Sequence, residues 1–168
     1  MQPLVPQLQK LPRRTVLTIT ALGSPRLVLA RVLPSLFGTA YGTKFKVFKP
    51  RPKVMMIGRL VCAYPDGLSK PMSKWTIVSD LEVSHFVTAK DLIQKNPQLP
   101  VRVTKRPAST YAVIRHIGPY AKEGPTIKRL HEYMKANHLK IIGPHEEVYL
   151  TRPGPKAKTI IRYAVQKR

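Results

Sequence analysis

Residues 110–138 read TYAVIRHIGPYAKEGPTIKRLHEYMKANH, and they carry the strongest structural signal in the chain. TYAVIRHI (110–117) has the β-branched and aromatic composition of a strand. Gly118, Pro119 and Tyr120 supply the turn that ends it. PTIKRLHEYMKANH (125–138) then sets Ile127, Leu130, Tyr133 and Met134 at helical spacing, so an amphipathic helix follows. Downstream come three extended pieces, KIIG (140–143), EEVYL (146–150) and TIIRYAV (159–165), with the turn TRPGPK between the last two. The order is strand, helix, then further strands.

The preceding residues repeat that order. TVLTITAL (15–22) is a β-branched strand, and Gly23, Ser24 and Pro25 provide a turn, an N-cap and a first-turn proline. The helix they start is expected to run to about Lys46, with Leu29, Leu33, Leu36, Phe37, Ala40 and Tyr41 along its apolar stripe. Pro34 marks a kink in it, or its true start. VMMIGRLVCAY (54–64) reads as a strand bulged at Gly58, and SKWTIVSDL (73–81) as another. Thr88 is expected to cap a short helix, AKDLIQKN. Residues 1–14 read as an irregular basic arm. The fold class is therefore α+β: a pseudo-twofold pair of strand–helix–strand–strand units, about 15–100 and 101–168, within one domain (15–168). Antiparallel sheet with two main helices on one face, and a ligand cleft between the halves, is the expected architecture. At 168 residues the chain has the size of one domain with a real core.

Composition removes several function classes. Cys62 is the one cysteine, so neither an internal disulfide nor a multi-cysteine zinc site can form; its apolar neighbours make it a buried strand residue. No two of the five histidines have HExxH spacing, and no metal or other cofactor is expected. No uninterrupted apolar run approaches membrane-spanning length, and the N-terminus lacks the order of a signal peptide, so a cytoplasmic location is expected. Thirty Lys and Arg face eight Asp and Glu, a formal net charge of +22, and no acid precedes Asp66 or follows Glu147. A field of that sign draws phosphates without any designed site.

From Ala112 to Tyr120, and on through GPTIKRLHEYMKANHLKIIGPHEEVYLTRP to TIIRYAV, the chain resembles the GyrI-like small-molecule-binding family, which includes effector-binding domains of multidrug-responsive transcription regulators. The match thins upstream to LFGTAYGTKFK (36–46) and Trp75. His145-Glu146-Glu147-Val148-Tyr149-Leu150 is similar to the C-terminal motif of the stand-alone branch. The resemblance implies paired strand–helix–strand–strand units around a pocket lined by aromatics, often with a buried acid; some stand-alone members are implied to hydrolyse cyclopropane-containing toxins. Carried over position by position, it implies Trp75, Tyr111, Tyr120, Glu147 and Tyr149 as ligand-binding residues. Gly58-Arg59-Leu60-Val61 departs from the branch, which has a Glu-Gly-Leu-Trp-like motif there.

Glu147 is read in two ways: a surface acid among cations, or an inward carboxylate beside tyrosine hydroxyls that receives a cation or moves a proton. His116 reads as structural. KFKVFKPRPK (44–53) sets five cations among two phenylalanines, either a nucleic-acid patch or a helix end whose lysine stems cover Phe45 and Phe48. The expected function is binding of a small aromatic or lipophilic molecule. The alternatives are a basic nucleic-acid-binding protein, or a hydrolase on the same scaffold using Glu147. A second acid facing Glu147 would favour the hydrolase.

Overall fold

The computed structural model describes residues 4–168. Its elements run β1 (Gln7–Leu11), β2 (Arg14–Leu22), α1 (Pro25–Thr43), β3 (Ile57–Tyr64), β4 (Thr76–Val83), β5 (Arg102–Arg106), β6 (Ser109–Ile117), α2 (Gly124–Ala136), β7 (Leu139–Ile141), β8 (His145–Tyr149) and β9 (Lys158–Lys167). They form two compact units, one of Arg13–Pro107 and one of Ala108–Arg168 with residues 4–12.

In the unit Arg13–Pro107 the strands lie in the order β3-β4-β2-β5, all antiparallel, and α1 packs on β2 and β4. In the other unit the order is β8-β9-β6-β1, again antiparallel, with β7 on the end of β9 and α2 packed on β6 and β7. The two plans correspond strand for strand. In each, the strand before the helix pairs with the last strand of the repeat, and a further strand, β5 or β1, lies along its other edge. The mixed α+β class and the twice-used strand–helix–strand–strand order are as the element order implies.

Two assignments change. Gln7–Leu11, read from sequence as irregular, is a strand whose residues pair with Ser109–Val113 of β6. QLQKL has no strand signature of its own; the free edge of β6 supplies the hydrogen-bond partners. Conversely, β5 pairs with β2, so residues 102–106 belong with Arg13–Pro107 and not with the residues that follow.

Helix α1 starts on Pro25 after Ser24, and it continues through Pro34. Pro34 cannot donate to the Ala30 carbonyl, but both residues are exposed, so water can take that acceptor. The last turn widens to a π-helical turn over Lys44–Phe48. The buried stripe is Val28, Val32, Ser35, Leu36, Thr39, Ala40 and Thr43, turned away from the expected one, so that Tyr41 is exposed. Three hydroxyls in that stripe hold the segment after β4. Ser35 donates to the Leu99 carbonyl at 2.8 Å, while Thr43 and Thr39 each accept from a backbone N–H, those of Ile93 and Lys95, at 3.0 Å. With those N–H groups engaged, AKDLIQKN does not form the expected α-helix: only a 3₁₀ turn, Ala89–Asp91, appears, capped reciprocally by Thr88 and Asp91. The bulge at Gly58 is present as a register shift between Ile57 and Leu60. Cys62 is fully buried against Ser79. No helix among the described residues is long and apolar enough to cross a membrane.

Candidate functional site

Strand alternation decides which residues of the Ala108–Arg168 unit can meet. Ile161 and Tyr163 of β9 join Ala112 and Ile114 of β6 beneath Leu130 and Met134 of α2 in one apolar cluster. Glu147 pairs with Ile161 and Tyr149 with Thr159, so His145, Glu147 and Tyr149, two apart on β8, stand on that helix side. Glu146 pairs with Arg162 on the reverse side, where their side chains form a 2.7 Å ion pair. The motif His-Glu-Glu-Val-Tyr thus divides its two acids between the two faces.

The turn after β6 brings further groups to the helix side. His116, buried, anchors it: Nδ1 lies 2.9 Å from the Thr126 hydroxyl in the first turn of α2, and Nε2 lies 3.3 Å from the Pro119 carbonyl. His116 is therefore structural. The turn holds Tyr120 edge-on to Tyr149, with ring centroids 5.6 Å apart. Glu123 occupies the N-cap position of α2, yet its side chain caps no helix N–H. It is 5% exposed, and its interaction is with Glu147.

A chain of polar contacts leads away from this acid pair. Glu147 Oε2 accepts from the Tyr149 hydroxyl at 2.6 Å, and Glu147 Oε1 lies 3.0 Å from His145 Nε2. His145 Nδ1 lies 2.8 Å from the Tyr163 hydroxyl, and the His131 ring stands edge-on to Tyr163. Glu123 Oε1 is buried without a hydrogen-bond partner.

The two acids are driven apart. Burial, the Glu147 charge and a hydrogen bond to Glu147 push Glu123 up to about 8, so at neutral pH it holds its proton. Burial would raise Glu147 as well, but hydrogen bonds from His145 and Tyr149, the His145 charge and the hydrogen bond from Glu123 outweigh it and hold Glu147 low. Burial, with Glu147 and Glu123 nearby, pushes Tyr163 up to about 12, which keeps its phenol protonated. Burial and the neighbouring His145 lower His131. A neutral carboxylic acid beside a carboxylate is the pairing used for proton transfer, and it is also a counter-charge for a cation. Glu123, His145 and Glu147 each offer one donor atom, all within 4.8 Å of one another.

Of the five residues expected from sequence, Tyr120, Glu147 and Tyr149 meet in this cluster. Tyr111 does not. It faces the reverse side of β6, buried with Val113 and Ala164, under the Arg162 guanidinium 4.7 Å from its ring. Trp75 belongs to the other unit. There it meets Tyr64 edge-on and donates to the Lys70 carbonyl, at the end of a loop that Asp66 ties down through Lys70 and the Thr76 N–H. Glu123, His145 as a functional group, Tyr163 and His131 are additions of the structure. Glu123 is the second acid facing Glu147. In the basic stretch 44–53, Phe48 is core beneath Arg51 and Phe45 is 54% exposed, so one of its two rings is open for stacking. At Gly58 a Cβ would come 3.2 Å from the Glu82 Cβ, so a side chain there requires Glu82 to give way by a few tenths of an ångström.

Two α+β units of matching strand plan, with an acid pair next to tyrosines on the helix side of one of them, are the features to set beside known proteins. Residues 5–166 match the GyrI-like small molecule binding domain, and the chain belongs to that family. Among solved structures, an uncharacterized conserved protein of Listeria innocua is similar with a TM-score of 0.85 at 22% identity, covering 98% of this chain and 94% of that one. A hydrolase from Listeria innocua gives 0.82 at 22% identity, covering 99% and 94%. SAV2435, solved bound to tetraphenylphosphonium, gives 0.51 at 17% identity, covering 96% and 93%. No curated protein sequence matches.

Proposed function

We propose that the chain binds a small aromatic or lipophilic organic molecule against Tyr120 and Tyr149, with the Glu123–Glu147 pair as the polar end of the site. The observation that carries this reading is the pairing of a low carboxylate, Glu147, with edge-on tyrosines on the same sheet face. An ionised carboxylate screened from water attracts a cationic group, and tyrosine faces add cation–π attraction. A neighbouring fold that holds tetraphenylphosphonium gives a probe of suitable chemistry. Non-specific attraction of nucleic acid through the +22 charge, and a cytoplasmic location, go with this reading.

The test is a thermal shift with tetraphenylphosphonium against its isosteric anion, tetraphenylborate. At about 100 times its Kd a ligand stabilises by roughly 2.7 kcal/mol. We expect the cation to raise the melting temperature and Glu147→Gln to abolish the effect. Equal response to both ions, or an unaltered response in Glu147→Gln, overturns the reading. Trp75, the single tryptophan, reports separately whether the bound molecule comes near it: quenching of its fluorescence supports its place in the site.

A second reading, hydrolysis, is favoured by one observation, the second acid facing Glu147. Glu123 is the proton donor in that scheme, and Glu147 activates water. Turnover of a strained-ring substrate, lost in Glu123→Gln and Glu147→Gln alike, would support it.

A further inference from the structure

We propose that Glu123, Glu147 and His145 form a binding site for one divalent first-row transition-metal ion of the zinc type. The proposal uses the same cluster as the ligand reading but needs no organic molecule, so either can fail alone.

The geometry is that of ligands gathered before an ion arrives. One carboxylate oxygen from each glutamate and one imidazole nitrogen lie within 4.8 Å of one another. Glu147 Oε1 and His145 Nε2 are 3.0 Å apart. Two ligands bonded to a tetrahedral or octahedral ion at about 2.0–2.2 Å stand roughly 3.0–3.5 Å apart, so this edge needs little adjustment. Glu123 supplies an independent observation. Its Oε1 is buried in a residue 5% exposed and has no hydrogen-bond partner, an arrangement folded proteins rarely leave without a role. The side chain also forgoes the helix N–H groups beside it in order to face Glu147.

The surrounding groups are those that orient metal ligands. Tyr149 fixes the Glu147 carboxylate through Oε2, leaving Oε1 for an ion. Tyr163 lies 2.8 Å from His145 Nδ1, and its hydroxyl can accept a ring proton there, which frees Nε2 to coordinate. Charge agrees as well. An arriving ion displaces the proton that Glu123 holds, and the two carboxylates then balance the charge of one divalent ion. Three protein ligands leave a fourth position for water or a substrate atom, the arrangement of catalytic sites rather than structural ones. Oxygen and nitrogen donors without thiolate suit zinc, cobalt, nickel or manganese.

The test titrates the chelator-treated full chain with cobalt(II), followed by its visible absorption, and with zinc chloride by calorimetry. We expect one equivalent to bind, with intense low-symmetry cobalt bands. Glu123→Gln and His145→Gln should each weaken binding at least about 100-fold, and Tyr163→Phe about 10–100-fold. His138→Gln, at an exposed histidine, should leave it unchanged. Should Glu123→Gln not fold, the wild-type cobalt spectrum and the Tyr163→Phe titration decide. The proposal is overturned if the spectrum stays that of the hydrated ion, if binding lacks one-to-one stoichiometry, or if the three site variants match His138→Gln.

Discussion

The Tyr149 hydroxyl donates a 2.6 Å hydrogen bond to Oε2 of Glu147, the acid two residues before it on the same face of β8. A hydrogen bond to a charged, half-buried group contributes about 1.5–3 kcal/mol. Tyr149→Phe keeps the ring against Tyr120 and removes only the donor. We expect it to lower stability by about that amount in urea unfolding at neutral pH. In a Glu147→Gln background the same change should cost under about 1 kcal/mol, because the charge is gone. A double-mutant cycle measures the difference, and equal costs in both backgrounds would refute the assignment of an ionised Glu147.

Glu123 predicts a pH dependence of the metal-free chain. Its pKa rises on folding from 4.5 to about 8, so the folded state holds a proton that the unfolded state has released. Its favourable contribution is fully present below pH 4.5 and is lost as pH rises toward 8. Stability should therefore fall across that window, and Glu123→Gln, which mimics the protonated acid, should remove most of the slope. A variant that unfolds with the wild-type slope at every pH would contradict the burial of an acid there.

What was legible in sequence follows the range of the interactions. The β6 strand, its Gly-Pro turn and α2 are set by local period and turn chemistry, and they stand where 110–138 places them. Strand β1 is the opposite case, since QLQKL becomes a strand only beside β6, about a hundred residues away in sequence. Helix α1 was placed but its buried face was not, because Ser35, Thr39 and Thr43 counted as polar while their hydroxyls serve backbone groups. Within the site, Tyr120, Glu147 and Tyr149 came from motif resemblance. Glu123 sits in an unremarkable loop and gains meaning only when β8 folds beside it. One signal was available: polar side chains at 145, 147 and 149, alternating along a strand, mark a single sheet face with functional potential.

Those hydroxyls carry a stability prediction. Thr39 and Thr43 are fully buried and accept from the N–H groups of Lys95 and Ile93. Valine matches threonine in shape but leaves each N–H without its acceptor. Thr39→Val and Thr43→Val should each destabilise by about 1–3 kcal/mol, and hydrogen exchange of residues 93–95 should quicken. If both variants unfold like wild type, these bonds are not what fixes the segment.

The last prediction separates the tyrosines that sequence alone grouped together. Tyr111 is 5% exposed, packed with Val113 and Ala164 and stacked under Arg162, which in turn pairs with Glu146. Tyr120 is 36% exposed at the turn after β6 and touches Tyr149 beside the acid pair. Removing a buried aromatic leaves a cavity and strips Arg162 of its cover, so Tyr111→Ala should lose about 3–5 kcal/mol of stability. Binding of tetraphenylphosphonium by the fraction still folded should be nearly unchanged, since the ring lies on the reverse side of the sheet. Tyr120→Ala should do the converse: a smaller loss of stability than Tyr111→Ala, because Tyr120 is already partly in water, and at least about a tenfold loss of affinity, the scale of one cation–π contact in a partly desolvated site. Urea unfolding and calorimetric titration of the two variants give the four numbers. If Tyr111→Ala abolishes binding while remaining folded, the ligand uses the other face of the sheet, and the site built on Glu147 is wrong.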